Sequence, residues 1–234
     1  MLINENMKKT ILLAVVCIVI QSCNSQKKDL AEITFTEKYD TFFGDISNEY
    51  SENSSMIDYN LYDVYNTESE ALLNFNGVDL SGYRDKKGEF GTNYVSFEFS
   101  KKDKILNFYY VTLFYNKNVK ELISNLNSSK GKPIYVSMLD MSDDVPDALL
   151  WEDKINYYMI TGATQNMPTF EVFKKQNLTI RKQMFSAGSF QYYGDYLEYL
   201  EEKNKTNKQI SYYQYAKLME SEGSDFYIDD YVKP

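Results

Sequence analysis

Tyr94-Val95-Ser96-Phe97-Glu98-Phe99-Ser100 decides the fold class. Val95, Phe97 and Phe99 alternate with Tyr94, Ser96 and Glu98, the two-residue period of a strand with one face in a core and one in water. Lys101 to Lys104 reads as a charged turn, and Ile105 to Tyr115 resumes as a long aromatic and β-branched strand, so the two predict a hairpin. Asn118 then caps a helix whose Val119, Leu122, Ile123 and Leu126 fall at i, i+3, i+4 and i+7. Gly131 ends it by tolerating a left-handed turn, and Pro133 by refusing to continue. Three further strands are expected over Ile134 to Leu139, Ala148 to Trp151 and Asn156 to Thr161, with Ile180 in another after Pro168. Strand, strand, helix and then several strands predict an α+β fold: an antiparallel sheet with a helix packed on one face.

The ends of the chain read as helical. Tyr39, Phe42, Phe43, Ile46 and Tyr50 form one apolar stripe that Thr36 can cap, so residues 31–75 are expected to be mostly helical, although 57–75 fits neither period. Near the other end, Tyr193, Tyr196, Leu197 and Leu200 make one stripe and Tyr212, Tyr215, Ala216 and Met219 another. Asn204 to Asn207 lies between them as a short polar loop, which predicts a C-terminal helical hairpin over 186–234. With 76–185 as the sheet region, these segments are expected to form one compact body.

The first 22 residues carry an address. Lys8 and Lys9 precede an apolar run from Ile11 to Ile20, too short for the ~20 residues of a membrane span. Ile20-Gln21-Ser22-Cys23 resembles a lipobox, the sequence cut by lipoprotein signal peptidase. That resemblance implies cleavage before Cys23, with palmitate-type lipid on its thiol and new amino group. It makes 23–30 a tether, with Asn24 to Leu30 reaching ~25 Å at most. In Bacteroidota lipoproteins, which this Lys-, Asn-, Ile- and Tyr-rich chain resembles, acidic residues soon after the cysteine direct export to the cell surface. Lys27 and Lys28 stand there instead, implying the periplasmic face of the inner or outer membrane. The stretch from the Asn118 helix through Gly131-Lys132-Pro133 to Trp151 also resembles a unit of small envelope lipoproteins, and implies an α+β sandwich without a particular activity.

Composition excludes several chemistries. The chain has no histidine, which removes histidine-based triads and proton shuttles and every zinc site that needs His or a second Cys. Cys17 leaves with the signal and Cys23 takes the lipid, so no disulfide is expected. Losing Lys8, Lys9 and Glu5 leaves 23 basic and 33 acidic residues, a net charge of −10 against −9 for the whole chain. Such a balance, with only Arg84 and Arg181 as arginines, disfavours nucleic acid. It suits solubility, and also a basic protein partner.

The candidate sites are few. Asp140, Asp143, Asp144 and Asp147 could offer oxygens to Ca²⁺, but their spacing departs from an EF-hand, and they read as a solvated acidic loop. Glu152 and Asp153 beside Trp151 suggest glycoside chemistry, since Trp stacks on sugars; neighbours on a strand point to opposite faces, so the pair cannot flank one bond. Gly88 to Gly91 and Gly162-Ala163-Thr164 lack the ending of a phosphate loop and read as turns. Of 22 tyrosines, the doublets 109–110, 157–158, 192–193 and 212–213 place one ring in the core and one outside where they fall in a strand, and set the two ~100° apart where they fall in a helix, so some rings are expected to be exposed. No catalytic, cofactor or metal residue is assigned, and Cys23 is the lipidation site. The expected function is a non-catalytic, membrane-anchored lipoprotein that binds a protein or other ligand in the cell envelope. The alternatives are an immunity-type protein neutralising a basic toxin in the periplasm, and a carbohydrate-binding or carbohydrate-cleaving accessory lipoprotein.

Overall fold

The computed structural model describes residues 27–83, 91–114, 116–140, 144–203, 210–223 and 231–234. Among the described residues ten strands form: β1 (Glu49–Ser51), β2 (Tyr62–Thr67), β3 (Asn74–Phe75), β4 (Val78–Asp79), β5 (Tyr94–Ser100), β6 (Leu106–Thr112), β7 (Tyr135–Ser137), β8 (Ala148–Glu152), β9 (Asn156–Thr161) and β10 (Thr169–Lys174). Five α-helices accompany them among the described residues: α1 (Tyr39–Phe42), α2 (Asn116–Lys130), α3 (Leu178–Phe185), α4 (Gln191–Lys203) and α5 (Tyr212–Ser221). Eight strands make one antiparallel sheet in the order β1-β2-β5-β6-β10-β9-β8-β7, and β3 and β4 pair apart from it.

Register explains how both faces are used. Tyr65, Phe97, Tyr109, Val172, Tyr158 and Trp151 face one another in turn across β2, β5, β6, β10, β9 and β8, so they share one face. The N-terminal segment covers this row: Phe42 packs edge-on to Phe97, Phe35 stacks on Tyr109, and Phe75 meets Phe170 and Tyr158. Helix α2 covers the rest, with Val119, Leu122 and Leu126 buried and Gly131 turning at φ +85° just past its end. The opposite face carries the row Asn66, Ser96, Tyr110, Glu171, Met159, Leu150 and Tyr135. Toward β7 it is covered by the C-terminal helices, whose Phe185, Phe190, Tyr193 and Tyr212 pack on Tyr135, Tyr157 and Phe173. Strand β5 therefore departs from the one-sided expectation. Ser96 and Glu98 are as buried as Phe97 and Phe99, because helices or chain lie on both sides.

The α+β class, the helix on one face and the C-terminal helical pair are present as expected. The second helix of the pair, α5, begins on a capping box in which Ser211 Oγ accepts from the Gln214 N–H and the Gln214 side chain accepts from the Ser211 N–H. The expected linker at Asn204 to Asn207 lies outside the described residues. Gly194 is where α4 crosses the end of α3: a Cβ there would stand 2.1 Å from the Phe185 carbonyl oxygen. Gly194→Ala should therefore force the helices apart and cost ~1–3 kcal/mol, the usual range for overpacking. Thermal unfolding checks this, and an unchanged midpoint would mean that the crossing is not tight.

Several expectations are corrected, including the Asn118 cap, since α2 starts at Asn116. Residues 31–75 are not mostly helical; they hold a 3₁₀ turn (Leu30–Glu32), the single turn α1, and strands β1, β2 and β3. The stripe from Tyr39 runs for one turn and stops at Gly44, whose φ of +57° reverses the chain toward β1. The sheet demands adjacent rings there, since Phe42 and Phe43 both bury against Phe97 and Phe99. Lys38, not Thr36, occupies the cap position. Ile180 lies in α3 rather than a strand, because Asn177 Oδ1 accepts its N–H and starts a helix. Residues 28–30 of the expected tether are bonded into the body. The Lys28 N–H bonds the Ala71 carbonyl, Asp29 accepts from the Ala31, Asn76 and Gly77 N–H groups, and buried Leu30 accepts from the Tyr109 hydroxyl.

Candidate functional site

Most side chains that the sequence offers for chemistry are bonded into the framework. Asp147 lies at the start of β8, where its N–H donates to the Ser137 carbonyl. Its buried carboxylate accepts from the Thr164 N–H (3.1 Å), the Thr164 hydroxyl (2.5 Å) and the Gln165 amide (2.8 Å). It ties the 162–165 turn to the sheet and is no solvated loop residue. Asp144 is exposed, and its carbonyl accepts from the Tyr231 hydroxyl. Asp140 is exposed on the same loop, and Asp143 lies outside the described residues.

Glu152 and Asp153 diverge as strand geometry requires. Glu152 pairs with Lys175, and Asp153 with Lys130 at the end of α2 (2.8 Å). Partial burial of Asp153 opposes its charge. Hydrogen bonds from Lys130, the Tyr158 hydroxyl (2.6 Å) and the Asn156 and Ile155 N–H groups outweigh this, and hold its carboxyl well below the usual range. Trp151 is fully buried, and its indole N–H donates to the Gly131 carbonyl (3.0 Å) and Asn127 Oδ1 (3.2 Å). It closes the end of α2 and presents no ring to a sugar.

The 157–158 doublet departs from the one-in, one-out rule of a strand. Tyr157 and Tyr158 are both buried, since β9 is covered on both faces. Tyr109, Tyr193 and Tyr212 are core residues, Tyr110 and Tyr213 are half-buried, and Tyr192 is the exposed member at 59%. Other exposed rings are Tyr50, Tyr59 and Tyr83, outside the doublets. Cys23 lies outside the described residues.

Two carboxylates that sequence reasoning missed form the chemically unusual feature of the sheet. Glu98 on β5 and Glu171 on β10 point to the same face, on either side of β6. Burial pushes Glu98 up to about 7, against the opposing effect of hydrogen bonds from Ser55 and Met56. Its Oε2 accepts from the Ser55 hydroxyl (2.5 Å) and its Oε1 from the Met56 N–H (2.8 Å). Ser55 Oγ already accepts from the Ile57 and Asp58 N–H groups, so its single proton goes to Glu98. Both Glu98 oxygens thus accept hydrogen bonds beneath the 52–58 loop that the side chain anchors. Burial pushes Glu171 up to about 8, opposed by the Thr161 side chain. Between them, burial raises Tyr110 against the opposing effect of a hydrogen bond with Ser96, with smaller upward contributions from Glu98 and Glu171. Such shifts are frequent at functional sites. Both carboxylates are enclosed. A signal for this burial exists: β6 is apolar at both parities, which places its neighbours between two layers.

Comparison with known proteins found no matching family model, no matching curated protein and no matching solved structure.

Proposed function

We propose that this protein is a non-catalytic binding protein of the cell envelope, anchored in the membrane by lipid on Cys23. The observation that carries the non-catalytic reading is the use of its candidate chemical groups: Asp147, Glu152, Asp153 and Trp151 each hold a turn, a cation or a helix end. The anchor reading rests on the lipobox resemblance. The body is already docked at Lys28, so a lipid on Cys23 would hold it within roughly 17 Å of the bilayer, five extended residues. The carbohydrate alternative loses its stacking surface with the burial of Trp151. The acidic balance favours a basic protein as the ligand, as an immunity-type role would need.

Cys23→Ala should abolish metabolic labelling by a fatty-acid analogue while wild type is labelled. Equal labelling of the two would end the anchor reading. Crosslinking of intact cells with the tagged chain should capture the same partner from wild type and from Glu152→Gln. Loss of function in Glu152→Gln with folding and capture intact would overturn the non-catalytic reading.

A further inference from the structure

The two edges of the eight-stranded sheet are finished differently. Beside β7 the C-terminal residues return: the Lys233 N–H donates to the Pro133 carbonyl (2.7 Å), and Val232 is buried. At the other edge β1 pairs, among the described residues, with β2 alone, and Glu49 and Tyr50 are exposed. An exposed strand edge presents backbone donors and acceptors that can accept another strand.

The chain segment that forms this edge carries charge of one sign. From Tyr39 to Tyr83 the chain has nine acidic residues and no Lys or Arg. Asp45, Glu49, Glu52 and Glu68 are exposed around β1 and at the end of β2, and among the described residues none of the four is in an ion pair. Glu49 and Glu68 line one groove of about 500 Å³ with Ser47, Asn48 and Tyr94. Lys101 and Lys104 are engaged by Asp63. Beside the edge runs a ladder of rings, exposed Tyr50 against Tyr65 (5.4 Å) and Tyr65 stacked on Tyr39 (4.2 Å), which suits the stem and charge of a basic side chain.

We infer that the open β1 edge docks an extended, basic segment of a partner protein, added antiparallel or parallel as a ninth strand. Main-chain bonds along β1 would supply the pairing, and the acidic rim and tyrosine ladder its preference for Lys and Arg. The same charges reject a second copy of this chain, because pairing two β1 edges sets Glu49 and Glu52 close to their own counterparts. This assignment rests on the binding reading above and is independent of the lipid, so labelling at Cys23 is read separately and a failure here leaves the anchor standing.

The test uses the full chain and a ten-residue peptide of alternating Lys and Val, followed by fluorescence anisotropy. Binding should weaken as salt rises, and the alternating Glu-Val peptide should not bind. Amide exchange at Glu49–Ser51 should slow when the Lys-Val peptide is present. The Glu49→Lys/Glu52→Lys double variant should lose about tenfold or more in affinity, because like charge would then meet like. Glu202→Lys, on exposed α4, should change affinity by less than about twofold. Three results would overturn the inference: equal binding of a backbone N-methylated Lys-Val peptide, an equal loss in Glu202→Lys, or a concentration-dependent dimer that uses the β1 edge.

Discussion

Trp151→Ala is expected to cost about 3–5 kcal/mol of stability, the range for emptying a buried aromatic site. Trp151 is fully buried on the face that carries Tyr158 and Phe97, and it is the one tryptophan of the chain. Its truncation leaves a cavity between β8 and α2 and strips a donor from the Gly131 carbonyl, one of the acceptors that a helix end leaves unpaired. Trp151→Phe fills most of the space but lacks the N–H, so it should lose a smaller amount, ~1–3 kcal/mol for the acceptors left unmet. Urea denaturation of the three proteins separates the two contributions. A loss below about 1 kcal/mol in Trp151→Ala would mean that the α2–sheet contact is not part of the cooperative core. Wild-type fluorescence should be that of an enclosed indole and shift to the red as the sheet unfolds.

Stability should be greatest near pH 5 and fall as pH rises toward 9. Glu98 and Glu171, raised by burial to about 7 and about 8 from 4.5, keep their protons in the fold at pH values where the unfolded chain has lost them. The folded state binds more protons across that window, so unfolding free energy declines from about pH 4.5 and levels off above about 8. Each unit of displacement corresponds to about 1.4 kcal/mol, so the two together contribute on the order of several kcal/mol. Asp153 acts with the opposite sign. Its carboxyl is depressed by Lys130, Tyr158 and two backbone donors, so its contribution is present above the ordinary carboxylate range and lost in strong acid. Together they place the optimum on the mildly acidic side. Glu171→Gln removes one of the two buried charges and should be more stable than wild type at pH 8.5, and little changed at pH 5. Denaturant midpoints at the two pH values measure this. A wild type equally stable at both would show that the buried carboxylates ionise without cost.

The parts of the fold legible in the sequence are those set by local periodicity. The β5–β6 hairpin, helix α2 with Gly131 behind it, strands β8 and β9 and the two C-terminal helices each carry their own period and their own stop signals. The N-terminal segment was not legible because its aromatic spacing serves the sheet. Tyr39, Phe42 and Phe43 fit a helical stripe, yet what they satisfy are Tyr65, Phe97 and Phe99 from strands far along the chain. The candidate site divides the same way. That Glu152 and Asp153 would separate follows from strand geometry alone. That Asp147 would close a turn 17 residues away, or that Trp151 would close a helix end 20 residues back, depends on pairing no local window contains.

By itself the sequence determined what chemistry is absent and which segments alternate. Missing histidine, a single tryptophan, the −9 balance and the Tyr94–Ser100 alternation are properties of the chain in any conformation. Only the tertiary structure decided which faces are dry. Alternation marks two sides of a strand, but the side that loses water depends on what packs over it. Here the 52–58 loop over Glu98 and the C-terminal helices toward β7 cover the face that alternation alone assigns to solvent, and burial of Glu98 and Glu171 there is what moves their protons toward neutral pH.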